Sequence, residues 1–136
     1  MTPTERTNRV AKEKVKAFWT QLGATVKFLA PAEHDKILAY LSHLPHLLAY
    51  GLVGIIPPEF LEYASTGFKD TTRIAGSSPH MWNDIFMANS KNITNALDDL
   101  VKTLAVYRKS INARDEQNLI EHFTKSKSKR DGLERS

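Results

Sequence analysis

The side chains of this chain best suited to chemistry are two histidines in the segment SHLPH (residues 42–46) and an arginine in GFKDTTRIA (residues 67–75). An imidazole and a guanidinium can together hold an anion, because the planar guanidinium fork can form two hydrogen bonds with one carboxylate. The two segments are separated in sequence, so only the fold can bring them together. We predict a shared pocket for an anion at His46 and Arg73.

The helix that would carry both histidines is predicted over residues 31–56. Pro31 suits the first helical position, and acidic residues follow it in the first turn. Pro45 lies inside the pattern, where it removes one backbone hydrogen bond and crowds the preceding turn. We therefore expect a kink at Pro45.

One face of that helix collects polar side chains. Asp35 and Ser42 lie within about 40° of His46, and His43 lies about 60° from it. The face would present a carboxylate, a hydroxyl and imidazoles among small apolar residues. The same pattern is also typical of satisfied polar residues at a seam between helices, and a lone arginine such as Arg73 is more often part of a surface ion pair.

The remaining pattern is helical apart from one short strand. Apolar residues recur at intervals of three and four from Trp82 to Ile111, which predicts one helix over residues 79–113, about 50 Å long. A compact domain of this size is under about 40 Å across, so the apolar stripe should be covered by a second chain or domain. The other predicted elements are helices over residues 8–22, 59–64, 68–75 and 115–124 and a strand over residues 24–29.

Composition limits the class of protein. The 136 residues suit one water-soluble domain, and the lack of cysteine excludes disulfides and cysteine metal sites, with the cytoplasm as the default location. The longest apolar run, residues 47–56, is too short to span a bilayer, so we expect no membrane partner. His34, His43 and His46 are too loosely spaced to favour a metal site. No GxGxxG, P-loop or GxSxG motif occurs.

The C-terminal residues 125–136 hold five basic and two acidic residues and no aromatic residue. Such a segment is typical of a solvated, disordered tail. The lack of aromatic residues argues against single-stranded nucleic acid as a partner.

Four segments in this order resemble the C-terminal helical domain of prephenate/arogenate dehydrogenases. They are His34-Asp35, SHLPH, GFKDTTRIA and WNDIFMAN (residues 82–89). The resemblance implies an all-α dimerisation domain, similar to the C-terminal domain of 6-phosphogluconate dehydrogenase, that closes over a dinucleotide-binding domain. It implies oxidative decarboxylation of prephenate or arogenate with NAD or NADP, in tyrosine biosynthesis.

The resemblance also implies roles for particular residues. The family's substrate-binding residues correspond by motif to His46, Arg73 and, less directly, Trp82. Asp35 is expected to orient Arg73 or His46. We also expect Arg73 to face a seam of small residues, where an unpaired charge is costly. When no substrate is bound, its charge should be neutralised by Asp35, by Asp70 or by a bound anion. The supporting residues are Asp35, Ser42 and His43.

The cofactor site is expected to lie outside this chain. The family's hydride-transfer histidine and glycine-rich loop belong to its N-terminal domain, so we expect no catalytic residue and no bound NAD or NADP here. Residues 1–30 would be the end of that domain, followed by a helical domain (31–124) and the tail (125–136). The expected partners are a second copy, through the long C-terminal helix, and prephenate or arogenate. The sequence leaves open whether a separate dinucleotide-binding chain supplies the missing part.

Two other functions fit parts of the pattern. A helical interaction or regulatory module could keep this fold without the chemistry. A small helical chorismate mutase would need several convergent basic residues, and only Arg73 is well placed for that. The sequence leaves open the choice between prephenate and arogenate and between NAD and NADP.

Overall fold

The structure, a computed structural model, describes residues 1–133, and that part of the chain is helical without any strand. The predicted all-α fold is confirmed. The helices are α1 (Arg9–Gln21), α2 (Pro31–Leu38), α3 (Leu44–Gly54), α4 (Thr66–Thr72), α5 (Pro79–Ala88), α6 (Ser90–Ala113) and α7 (Glu116–Leu133). A π-helical turn (Ala39–His43) joins α2 to α3, and two 3₁₀ segments (Pro58–Tyr63 and Arg73–Gly76) flank α4.

Helix ends follow local capping chemistry. The Asn8 side chain accepts a hydrogen bond from the first turn of α1, and the chain leaves that helix at Gly23 with φ +82°. A positive φ costs glycine little, because it has no Cβ. At α5, Ser78 caps the helix and Pro79 takes the first position, as the sequence predicted.

The strand predicted over residues 24–29 is wrong. The segment bonds at two points to Met1, whose amino group donates to the Lys27 carbonyl at 2.8 Å and whose carbonyl accepts from the Leu29 N–H at 3.0 Å. Phe28 packs under a lysine of α1. A strand needs a neighbouring strand for its backbone groups, and alternation in sequence does not supply one.

The expected interruption at Pro45 is a π-helical turn. The Leu44 N–H donates to the carbonyl of Ala39, five residues earlier. Because proline has no N–H and its ring crowds the carbonyl four residues before it, a wider turn directly ahead of Pro45 relieves the clash. The stretch therefore consists of α2, this turn and α3, and it ends at Gly54, two residues before the predicted end.

The single helix predicted over residues 79–113 is also wrong. Asn89, with φ −120° and ψ 26°, separates α5 from α6. Its side chain bonds to residues of the π turn and of α2, and asparagine readily leaves helical geometry for such contacts. The 24 residues of α6 span about 36 Å. The argument for a covering partner therefore rests on exposed side chains and not on a 50 Å helix.

The structure also corrects the C-terminal tail. The sequence predicted disorder over residues 125–136, whereas α7 continues to Leu133. Residues 134–136 lie outside the described residues. Ion pairs one turn apart stabilise an exposed helix weakly, because solvent screens the charges. Two such pairs occur in α7, Lys125 with Glu121 and Lys127 with Asp131.

Packing divides the chain into two compact units, Met1–Ala96 and Leu97–Ser136. This division falls inside the predicted domain of residues 31–124, whose boundaries stay predictions. In the second unit, Tyr107 meets Phe123 edge to face at 5.5 Å. The first unit has a small core, and its buried apolar residues are Ala39, Leu44, Ala49, Trp82, Ile93 and Ala96.

One helical stretch, Pro31–Gly54, is long and apolar enough to cross a bilayer by length and composition alone, with a mean hydropathy of 1.3. The core helix of a water-soluble domain meets the same criterion. Here the stretch supplies Ala39, Leu44 and Ala49 to the core of the first unit. Packing accounts for only part of its apolar character, because 22% of its most apolar window is buried and Leu41 stays 74% exposed.

Candidate functional site

The centre of the candidate site is a stack of two rings. His46, on α3, lies against Trp82, on α5, with ring centroids 3.5 Å apart and an interplanar angle of 23°. Trp82 is 7% exposed and also contacts Phe86 at 5.5 Å. Two of the three predicted substrate-binding residues are therefore in direct contact, although they come from separate helices.

The tautomer of His46 follows from its backbone contact. Its Nδ1 lies 2.9 Å from the carbonyl oxygen of Ser42. A carbonyl oxygen can only accept, so Nδ1 carries the hydrogen, and Nε2 of the neutral ring is an acceptor. Ser42, predicted to support the site, does so through its backbone carbonyl.

His43 completes the aromatic cluster. It is 8% exposed and meets Trp82 edge to face at 6.1 Å. Its Nδ1 lies 3.2 Å from the side-chain nitrogen of Asn89. Asn89 was not predicted as a site residue, although it is the last residue of the segment WNDIFMAN. Its position at the end of a segment that resembles the family could have identified it as a candidate site residue.

The surroundings of His43 disfavour its charged form. Burial lowers the pKa of His43 below its ordinary value, because the imidazolium loses solvation. Asp35 opposes this by attraction, whereas His34 and His46 lower the pKa further by repulsion. His43 is therefore a neutral hydrogen-bonding group near pH 7.

Asp35 does not take its predicted role. Its exposed carboxylate lies 3.0 Å from Nδ1 of the adjacent His34, so the prediction that it orients Arg73 or His46 is wrong. The backbone of Asp35 matters instead, because its carbonyl accepts a hydrogen bond from Asn89 at 2.7 Å. The predicted alignment of Asp35 with His46 assumed one regular helix. The π turn after Leu38 changes the angular positions of the residues that follow it.

Arg73 begins the 3₁₀ segment Arg73–Gly76, which packs against α3, the helix that carries His46. The Tyr50 hydroxyl ties the same helix to the Ser77 carbonyl at 2.7 Å. Arg73 is exposed, so the prediction of a charge buried in a seam of small residues is wrong. Among the described residues no carboxylate forms an ion pair with it, so neither Asp35 nor Asp70 neutralises it.

A cavity of about 420 Å³ opens between α3 and the chain around Arg73. Ala49 lies one turn after His46, and Thr71 and Ile74 lie on either side of Arg73 in sequence. No charged side chain lines the cavity, so it suits a carbon framework, with charge recognition left to its surroundings. The lining residues are Pro45, Leu48, Ala49, Leu52, Thr71 and Ile74.

Metal and cofactor chemistry find no support in residues 1–133. The structure places no group of three or more His, Asp or Glu side chains within reach of one ion there. Dinucleotides are held where a strand turns through glycines into a helix, and the described part of the chain has no strand. The described residues therefore contain no phosphate-binding turn of this kind.

Residues 30–125 match the family model described as "Prephenate dehydrogenase, dimerization domain". The chain belongs to the prephenate dehydrogenase family. A prephenate dehydrogenase of Bacillus subtilis is 34% identical over 139 residues, which cover 98% of this chain and 38% of that relative. The resemblance inferred from the four segments is thus confirmed.

Solved prephenate and arogenate dehydrogenases share the fold. Prephenate dehydrogenase of Aquifex aeolicus in complex with hydroxyphenyl propionate and NAD+ is 36% identical with a TM-score of 0.86, over 97% of this chain and 48% of that one. Synechocystis arogenate dehydrogenase is 25% identical with a TM-score of 0.81, over 97% and 50%. The chain spans half or less of the length of these relatives.

Proposed function

We propose that this chain is the dimerisation and substrate-binding part of a prephenate or arogenate dehydrogenase and is inactive alone. The complete enzyme would oxidise and decarboxylate prephenate or arogenate with NAD or NADP, a step of tyrosine biosynthesis. The observation that carries the proposal is the stack of His46 on Trp82 within the segment that matches the family. A cytoplasmic location is part of the same proposal.

The substrate contacts follow from the chemistry of three side chains. Arg73 is exposed and without an ion-pair partner among the described residues, so its guanidinium is available to a substrate carboxylate. Nε2 of His46 is an acceptor and would receive a hydrogen bond from a substrate hydroxyl. Trp82 holds the His46 ring in place. The apolar cavity beside α3 would receive part of the carbon ring of the substrate.

The exposed apolar side chains support two partner surfaces. On α6, Val101 is 55% and Leu104 49% exposed, and they lie on one face of the helix. We assign this face to a second copy of the chain. On α1, Phe18 and Trp19 are exposed, and no residue of that helix is buried. We assign α1 to the dinucleotide-binding part, in the same or a separate chain.

The alternative function is a helical interaction or regulatory module that keeps the fold and lacks the chemistry. The extent of exposed apolar surface favours it as well, since a docking module needs such surface. The two functions differ in one property, which is the binding of a substrate-like carboxylate at Arg73.

The test is a titration of the purified chain with prephenate and with hydroxyphenyl propionate. Binding is measured by calorimetry and by changes in the NMR signals of the His46 ring and the Trp82 indole. We expect saturable binding that Arg73→Ala abolishes and that Arg9→Ala, an equivalent loss of an exposed arginine on α1, leaves unchanged. A lack of binding by a folded wild-type chain favours the interaction module. Steady reduction of NAD or NADP by the chain alone would overturn the proposal that the cofactor site lies in a different domain or chain.

A further inference from the structure

The side chain of Asn89 links three parts of the first compact unit. Its nitrogen Nδ2 lies 2.7 Å from the Asp35 carbonyl oxygen and 3.2 Å from Nδ1 of His43. Its oxygen Oδ1 accepts a hydrogen bond from the side chain of Asn92 at 2.8 Å. The amide thus connects the end of α2 and the π turn to the first turn of α6.

These contacts fix which end of the amide faces His43. The Asp35 carbonyl can only accept, so the atom beside it must be the amide NH₂ and not the amide oxygen. The donor in Asn92 agrees, because it faces the oxygen of Asn89. An NH₂ group has two hydrogens, and the contacts with Asp35 and His43 use one each.

The orientation of the amide determines the proton position on His43. Because Nδ1 of His43 receives an N–H, that nitrogen must carry a lone pair, and the ring proton lies on Nε2. In the imidazolium form both nitrogens carry hydrogens, so Nδ1–H would face the amide N–H and the bond would be lost. The contact therefore favours one tautomer and opposes protonation.

We propose that Asn89 is a positioning residue, which holds His43 as the neutral Nε2–H tautomer by donating to its Nδ1. His46 takes the opposite tautomer through Ser42, so the site contains one ring that donates from Nε2 and one that accepts there. A role of these two rings in hydrogen bonding to a substrate rests on the proposed function, whereas the action of Asn89 on His43 does not.

Several other groups face His43 from the elements packed against it. Asp35 and His34, on α2, and His46, on α3, act on its charge. From α5 and the start of α6 it meets Trp82 and Asn89, which do not titrate near neutral pH. Asp35 alone favours the imidazolium, and its carboxylate pairs with His34. Asn89 is therefore the direct hydrogen-bond partner through which the tautomer can be changed.

The experiment measures ring ¹⁵N shifts of ¹⁵N-histidine-labelled chain across a pH titration, in the wild type and in Asn89→Asp. In the wild type we expect an unprotonated Nδ1 and a protonated Nε2 on His43, with a pKa below about 6.5. In Asn89→Asp the carboxylate accepts from Nδ1–H, so the tautomer should reverse and the pKa should rise by about 1 unit or more. Aspartate serves as well as asparagine immediately before a helix, so α6 should be retained.

The matched control is Asn83→Asp, which adds the same charge on α5. Asn83 is exposed, and its side chain hydrogen-bonds to its neighbour Asp84. This variant should leave the tautomer of His43 unchanged and should shift the pKa of His43 by no more than about 0.3 unit. A wild-type His43 protonated on Nδ1 overturns the proposal even without a variant. An unchanged tautomer in Asn89→Asp, or the same reversal in Asn83→Asp, also overturns it. Failure of the wild type to bind hydroxyphenyl propionate would refute the proposed function and leave the action of Asn89 standing.

Discussion

His46 stacks on Trp82 with ring centroids 3.5 Å apart, and this contact joins the segment SHLPH to the segment WNDIFMAN. The indole nitrogen Nε1 of Trp82 is buried without a hydrogen-bond partner among the described residues. An unpaired buried N–H costs free energy, which the packing of the ring against His46, His43 and Phe86 must offset. Trp82 is therefore a structural residue as well as a candidate site residue.

Replacing Trp82 by alanine should destabilise the first compact unit strongly. The ring is among the few large side chains buried in a small core, and its loss should lower the free energy of unfolding by about 3–5 kcal/mol. Trp19→Ala, at a tryptophan that is 48% exposed on α1, should cost less than about 1 kcal/mol. Urea unfolding followed by circular dichroism measures both, and equal losses would contradict the role of Trp82 in the core.

The stability of the chain should fall on acidification because of His43. Its pKa is lowered by burial, so the unfolded chain binds the proton more tightly than the folded chain. The unfolding free energy therefore rises with pH in this window, and the contribution of His43 is lost as the pH falls from about 6.5 through the folded pKa.

The measurement is the unfolding free energy at several pH values between about 7.5 and 5 for the wild type and for His43→Gln. The variant should lose less stability on acidification, since glutamine can still accept from Asn89 but does not titrate. His80→Gln, at an exposed histidine of α5, is the control and should keep the wild-type slope. A slope unaffected by His43→Gln would show that the ring is not held neutral.

Sequence patterns were sufficient where local chemistry decides the structure. Gly23, Ser78 and Pro79 marked helix ends correctly because capping depends on a few neighbouring residues. The ordered segments also identified the family and the all-α fold. His46 and Trp82 were predicted as members of one site, and the structure brings them together.

The misses involve turns and contacts that an apolar repeat does not encode. The break at Asn89 depends on its bonds to Asp35 and His43, which an apolar repeat along one helix cannot reveal. The Asp35 carboxylate pairs with His34, and the chain between Asp35 and His46 contains a π turn that a regular helical wheel does not include. The strand at residues 24–29 failed because the pattern carries no information about a pairing strand.

Dimerisation should depend on the apolar face of α6. Leu104→Glu should shift the chain from dimer to monomer, because a charge in an apolar interface loses solvation without a partner. Asn95→Glu is the control, since position 95 lies about 180° around the same helix from Leu104. Sedimentation velocity over a range of concentrations tests both. We expect an obligate-type interface of more than about 2,000 Å². A wild-type chain that is folded and monomeric at micromolar concentration would contradict it.

The geometry of the guanidinium at position 73 should matter as much as its charge. Arg73→Lys keeps the charge but loses the planar fork, so it should recover little of the affinity that Arg73→Ala loses. Because Arg73 is exposed, neither substitution should change the unfolding free energy by more than about 0.5 kcal/mol. Calorimetric titration with hydroxyphenyl propionate measures the affinity, and full retention in Arg73→Lys would indicate a contact through charge alone.

The most direct test of the substrate-binding role is a crystal structure of the chain grown with hydroxyphenyl propionate. We predict that the ligand carboxylate bonds both terminal nitrogens of Arg73 and that the ligand hydroxyl donates to Nε2 of His46 in the plane of the imidazole ring. A ligand bound elsewhere, or His46 and Arg73 facing opposite surfaces with no dimer mate between them, would contradict the site and leave the interaction module as the function of this chain.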